Sequence, residues 1–253
     1  MTPSRVGIDV VDLRNARTHD RHLDRRFMAR IFGAAEVSLI RASDDPARAV
    51  WRHWAAKEAA FKAICAARHP DPPPIFRHAD FEVVSLAEGA GELRWHDTLS
   101  PLTVLEDPHG AWVACVAASG ARVIPEGLVW RVESVDEAAA RLGIADRSEV
   151  THRLGPHERS DSRDLPHAIV RLAARTELAR QLGVAPERLE IVSAAGPAGR
   201  TPPRVHLDGE ETGGVCLSIS HDGPRVAWAV GVDGREERGL DEDGPLQERV
   251  RHD

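Results

Sequence analysis

"WAAKEAAFKA" (residues 54–63) returns in looser form as "LAARTELARQ" (172–181), and each copy is followed by a loop and a closely similar strand, "FEVVS" (81–85) and "LEIVS" (189–193). Both short strands alternate apolar and polar side chains, the period of a half-buried strand. The likeness extends outward. "ELRWHD" (92–97) matches "PRVHLD" (203–208), and "LTVLEDPHGAWVACVA" (102–117) matches "LSISHDGPRVAWAVGV" (217–232). The last pair reads as a hairpin: a strand, a turn carrying Asp, Pro and Gly, then a strand rich in Val, Ala and Trp. "RVGIDVVDL" (5–13) opens the first copy as a strand, and "LVWRVESV" (128–135) opens the second more weakly. Each half therefore reads strand, helices, then three strands, an α+β chain built of two tandem modules.

Gly and Pro interrupt both patterns in "SGARVIPEG" (119–127), which sets the boundary near residue 120. Modules of 1–120 and 121–235 follow, with a charged tail (236–253) that lacks an apolar stripe and is expected to be disordered. "RHPDPPPIFRHAD" (68–80) and "THRLGPHERSDSRDLPH" (151–167) read as loops. The 253 residues, 42% apolar and 29% charged, suffice for one sizeable core or two small ones. No run approaches the roughly eighteen apolar residues of a membrane span, and the N-terminus lacks a signal-peptide layout, so a cytoplasmic protein is expected. Cys65, Cys115 and Cys216 stand singly and read as small buried apolar residues. A net charge of −7 argues against nucleic acid as the main partner.

The copies differ at their polar positions. Copy one carries Asp9 and Asp12 in its opening strand and Glu58 in its helix; copy two has Thr176 opposite Glu58 and no acid opposite Asp9. The hairpins reverse this, with His221 in copy two where copy one has Glu106. A strand carboxylate and a helix carboxylate could together hold a hard divalent ion. Glu58 and Lys62 share a helix face at i and i+4, while Lys57 points about a quarter turn away. An exposed Glu–Lys helix pair accounts for the same spacing.

"GIDVVDL" (7–13), "RRFMARIFGAAE" (25–36) and "WAAKEAAFKA" (54–63), in this order, resemble the 4'-phosphopantetheinyl transferase superfamily, and the closing "LSISHDGPRVAWAV" resembles its C-terminal hairpin. The resemblance implies modules each made of a three-stranded antiparallel sheet and a long helix, paired about a pseudo-twofold axis as a monomer. It implies an active site between modules, with Asp9 and Glu58 on Mg²⁺ and coenzyme A as co-substrate. Lys62 would neutralise the pyrophosphate, and Glu58 would take the proton from a serine of an acyl or peptidyl carrier protein. Arg200, Ser220 and His221 would hold nucleotide phosphates, with Lys57 assisting and Asp12 in support. The loop "ICAARHPDPPP" after the helix departs from the family pattern.

Carrier proteins of this kind are acidic, which asks for a local basic surface. "RNARTHDRHLDRRFMAR" (14–30) places Arg14, Arg17, Arg21 and Arg25 at helical spacing. A catalytically silent carrier-binding subunit, or a nucleotide-pyrophosphate hydrolase, are the alternatives the same residues leave open.

Overall fold

The computed structural model describes residues 5–68, 75–87, 89–193, 195–196 and 199–232. Its first half runs β1 (Arg5–Asp12), α1 (Arg25–Ile31), α2 (Ala34–Ala42), α3 (Pro46–Arg68), β2 (Phe81–Ala87), β3 (Ala90–Trp95), β4 (Thr98–Glu106) and β5 (Trp112–Ser119). The second runs β6 (Val129–Ser134), α4 (Val135–Arg141), α5 (Arg147–Arg153), α6 (Pro156–Asp161), α7 (Leu165–Leu182), β7 (Leu189–Val192), β8 (Ala195–Gly196), β9 (Gly199–Arg200), β10 (Arg204–Leu207), β11 (Glu210–Glu211), β12 (Val215–Asp222) and β13 (Arg225–Val232). The expected tail lies outside the described residues. No described helix is long and apolar enough to cross a membrane.

All the strand pairing is antiparallel, but the sheets depart from the expected three strands. The first half forms one five-stranded sheet, β1-β5-β4-β3-β2. Strand β4 makes this possible: Thr98–Leu102 pairs with β3, and Leu102–Glu106 pairs with β5. The second half has two separate three-stranded sheets, β12-β13-β6 and β11-β10-β7. There the path is cut by Thr212, Gly213 and Gly214 between β11 and β12, with Gly214 at φ 70°, a backbone state that glycine adopts without strain.

Two further readings are corrected. Residues 151–167 are largely helical, held by α5, α6 and the start of α7. α5 and α6 are short and, like the start of α7, are marked by caps rather than by an apolar stripe: Asp146 accepts from the N–H groups of Ser148 and Glu149, and Asp164 from that of His167. Conversely, residues 14–30 do not form one helix. Asp20 sits at φ 56°, and Asp24 caps α1 afresh, leaving two single 3₁₀ turns and a short helix.

A buried ion pair ties each half together. Lys57, in α3, is wholly buried, and its ammonium meets Glu36 Oε2 at 2.8 Å, the His78 carbonyl at 2.9 Å and the Phe81 carbonyl. Glu36 in turn accepts from Gly33 N at 2.7 Å and Val83 N at 3.0 Å. The second half repeats the device. Arg175 of α7 binds Glu158, which accepts from Gly155 N at 3.0 Å and Ile191 N at 3.1 Å. In each case the glutamate caps a short helix and holds an outer strand of a sheet, β2 or β7, while the cation comes from the long helix. The apolar cores beneath are separate, one drawn from residues up to Ala117 and the other from residues from Val135 onward.

Lys57 is therefore not a phosphate ligand, because its donors are spent inside the core. Burial holds its ammonium below the usual lysine range, with Glu36 opposing. Removing one partner of a buried pair leaves the other charge stranded, so Lys57→Ala is expected to cost about 3–5 kcal/mol. The midpoint and slope of urea unfolding measure this. Lys57→Met, which fills the space but still strands Glu36, should recover only part of the loss.

Candidate active site at the seam between the halves

Gly7 sets the distance between β1 and α3. A Cβ built there would lie 1.8 Å from the Ala59 carbonyl oxygen and 2.7 Å from Ala63 N. The alanines of α3 complete the contact, with Ala55, Ala56, Ala59, Ala60 and Ala63 all fully buried. So close an approach lets Lys62 reach across the strand, its Nζ 2.9 Å from the Ile8 carbonyl and 2.7 Å from Asp9 Oδ1. Glu58 lies one helical turn earlier, with His78 Nε2 3.5 Å from its Oε1. Asp9 is buried, and burial pushes its carboxyl above the ordinary range; Lys62 pulls it down and the Glu58 charge pushes it up.

The second half closes the site from the other edge of β1. Ser220 Oγ donates to Asp9 Oδ1 at 2.8 Å. On either side of it, Ser218 Oγ accepts from Ile8 N at 3.0 Å and Asp222 Oδ2 from Asp12 N at 2.9 Å. A third apolar cluster fills the seam beneath, joining Val6, Ile8, Val10, Ala114 and Val116 to Leu128, Ala227 and Ala229. Asp12 is buried there and also accepts from Arg14 N at 3.1 Å.

Asp9, Lys62, Ser220 and His221 line one open cleft of about 330 Å³, together with His167, Arg171 and Ser193. An apolar cavity of about 510 Å³ adjoins it, sharing Lys62, Pro203 and Ile219 with the cleft and adding Phe61, Phe76 and Leu217. His221 Nε2 lies 3.1 Å from His167 Nε2, and His167 Nδ1 lies 3.3 Å from Asp164 Oδ1. Burial, and then the His167 ring, lower the His221 imidazole to about 4.

The positions opposite these residues are spent on structure. Glu106 is locked to Arg52 in a two-point ion pair, and Thr176 Oγ1 bonds back to the Leu172 carbonyl at 2.7 Å. Of the sequence-derived residues, Asp9, Glu58, Lys62, Ser220 and His221 gather around the seam. Lys57 does not. Arg200 lies on β9 opposite Ala195, and its side chain falls outside the described residues. Arg14, Arg17 and Arg25 are exposed and Arg21 is half-buried, but Arg17 pairs with Asp222 at 2.5 Å and Arg21 with Asp24 at 3.4 Å. Asp164 and His167 were hidden within the supposed loop, although "DLPH" (164–167) carries the cap-then-Pro signature of a helix start.

A buried acid, a lysine and two imidazoles thus meet at a seam between two α+β halves. Residues 5–117 match the family model described as the 4'-phosphopantetheinyl transferase superfamily, and this part of the chain belongs to that superfamily. No curated protein matches the chain. Among solved structures, Thermotoga maritima holo-[acyl-carrier-protein] synthase is similar at 19% identity with a TM-score of 0.35, the match covering 60% of this chain and 74% of that one. A likeness that loose carries no argument.

Gly7→Ala tests the helix–strand contact on which the site rests. Overpacking against backbone atoms is expected to cost about 1–3 kcal/mol and to draw Asp9 away from Lys62. Urea unfolding gives the first quantity, and the loss of the Lys62–Asp9 contact in a structure of the variant gives the second.

Proposed function

We propose that the chain transfers the 4'-phosphopantetheine group of coenzyme A to a serine of an acyl or peptidyl carrier protein, releasing 3',5'-ADP. The Ser220–Asp9 bond carries this reading: the acidic strand of one half and the Ser-His hairpin of the other meet in one cleft. The halves are then two modules, 1–120 and 121–235, paired about a pseudo-twofold axis within a monomer. Each supplies what the other lacks.

In this reading Asp9 and Glu58 offer the carboxylate oxygens that a hard divalent cation such as Mg²⁺ takes, and the ion would supply charge neutralisation at the pyrophosphate. Lys62, already directed at Asp9 Oδ1, neutralises charge on the same group as it leaves. Glu58, half-buried one helical turn before Lys62 and raising the Asp9 carboxyl by its charge, takes the serine proton. Ser220, His221 and Arg200 hold the nucleotide phosphates, and the apolar cavity beside them receives uncharged parts of the coenzyme. Such a transfer asks mainly for positioning and charge neutralisation, which is the inventory of this cleft. Arg14 and Arg25, with Arg17 and Arg21 beside them, offer an acidic carrier its basic surface; no role for nucleic acid or membrane is proposed.

Incubation with coenzyme A, Mg²⁺ and an apo carrier protein, followed by mass measurement of the carrier, tests the transfer directly. An unmodified carrier would refute it. Glu58→Gln keeps the packing and loses the charge, and the rate is expected to fall by about 10²–10⁴-fold. Charge reversal at Arg14 and Arg25 should weaken carrier binding while leaving the affinity for coenzyme A unchanged. Carrier titrations at low and high salt read this out.

A further inference from the structure

His221 is not a lone imidazole. It stands at the end of a chain of three groups: Asp164 Oδ1 to His167 Nδ1 at 3.3 Å, then His167 Nε2 to His221 Nε2 at 3.1 Å. The first two members are fixed by their helix, because Asp164 caps α7 through His167 N at 3.0 Å, one turn away. The His167 and His221 rings also pack edge to face, with centroids 4.0 Å apart. The chain has no counterpart in the first half, where Glu106 and Arg52 occupy the place of His221 with an ion pair. It belongs to the cleft that holds Asp9 and Lys62.

Building on the transferase reading of this cleft, we infer that Asp164 and His167 are positioning residues: they orient His221 and fix its proton so that a bound phosphate is met by a newly protonated imidazole. The assignment follows from the order of the groups. The Asp164 carboxylate only accepts, so His167 Nδ1 carries a proton. A neutral His167 then presents a lone pair at Nε2, and the proton between the two rings resides on His221 Nε2. The second nitrogen of His221 is left without a proton. An anion seeking a donor there must bring one in, so binding takes up a proton.

The charges around His221 are mixed. His167 and Asp164 face it from α7, Lys62 from α3 and Asp222 from its own strand, while Arg171 and Arg163 act on His167. Burial and the neighbouring His167 keep the unliganded ring neutral down to about pH 4. The sign follows: the free ring is neutral above that pH and the phosphate-bound ring is charged, so affinity falls as pH rises between the two titrations. Without His167, the ring charges more readily in the free protein, and less proton uptake accompanies binding.

Three of the ligand-type atoms in Asp164, His167 and His221 also lie within 4.8 Å of one another, so a metal ion is the competing occupant. The geometry favours the chain, because Asp164 and His221 engage opposite nitrogens of His167.

The test is calorimetric binding of 3',5'-ADP to the full chain at about pH 5.5, in two buffers of different ionisation enthalpy. Wild type is expected to take up close to one proton more per nucleotide than His167→Ala, and Asp164→Asn should give an intermediate uptake. His167→Gln, whose amide can still accept from His221, should restore ring orientation and most of the affinity without restoring the wild-type pH profile. Equal proton uptake and equal affinity in wild type and His167→Ala would overturn the inference and leave the transferase reading standing. Zn²⁺ bound tightly by wild type and lost in His167→Ala would also overturn it, by making the rings metal ligands. Nucleotide binding with the expected uptake, but no transfer to any apo carrier, would instead refute the transferase reading and leave the chain of three groups intact.

Discussion

A charge that is removed from water must find its partner in the core, and that requirement shapes both halves of this protein. Lys57 and Arg175 are cations buried within long helices, and each is met by one glutamate, Glu36 or Glu158. Because each glutamate also receives N–H groups from its own helix start and from an outer strand, β2 or β7, a single carboxylate fixes three elements. Breaking it strands several polar groups at once, which is why a pair of little net value relative to an apolar core is costly to disrupt. Adjacent letters in "KEA" thus have unrelated jobs. Lys57 points inward to hold the fold, and Glu58, a quarter turn round the helix, meets His78 and raises the Asp9 carboxyl by its charge.

Much of this was legible in the sequence, because periodicity and repetition report on burial. The long helices and the hairpins followed from apolar spacing. The same reasoning lost α5 and α6, whose few turns carry caps instead of a stripe, and with them it lost Glu158, Asp164 and His167. A second repeat was available: "FGAAE" (32–36) and "LGPHE" (154–158) share the Gly and Glu that form the two capping and ion-pair devices. Lys57 was misread for a different reason. Helical spacing tells which way a side chain leaves the helix but not what lies there, and two backbone carbonyls from residues 78 and 81 are invisible to any local pattern. The helical spacing read over residues 14–30 failed as geometry, because Asp20 and Asp24 break the stretch into two 3₁₀ turns and a short helix.

The site itself is a product of three close approaches, none of them catalytic in itself. Gly7 lets β1 lie against the backbone of α3, the small alanines of α3 keep it there, and the hydroxyl and carboxylate side chains of β12 dock on the far edge of β1. Asp9 is held at their intersection. The residues that stand opposite Glu58 and His221 in the sequence repeat, Thr176 and Glu106, are tied up in local bonds.

The way β12 docks on β1 has a consequence for solubility. β1 is the outer strand of its sheet, and an outer strand with bare N–H groups invites further strands to add without limit. Here Ser218 and Asp222 answer those N–H groups with side chains rather than with backbone. The ladder therefore ends, since a side chain cannot template the next strand, and the second half acts as a stopper that keeps the first from growing into a fibre.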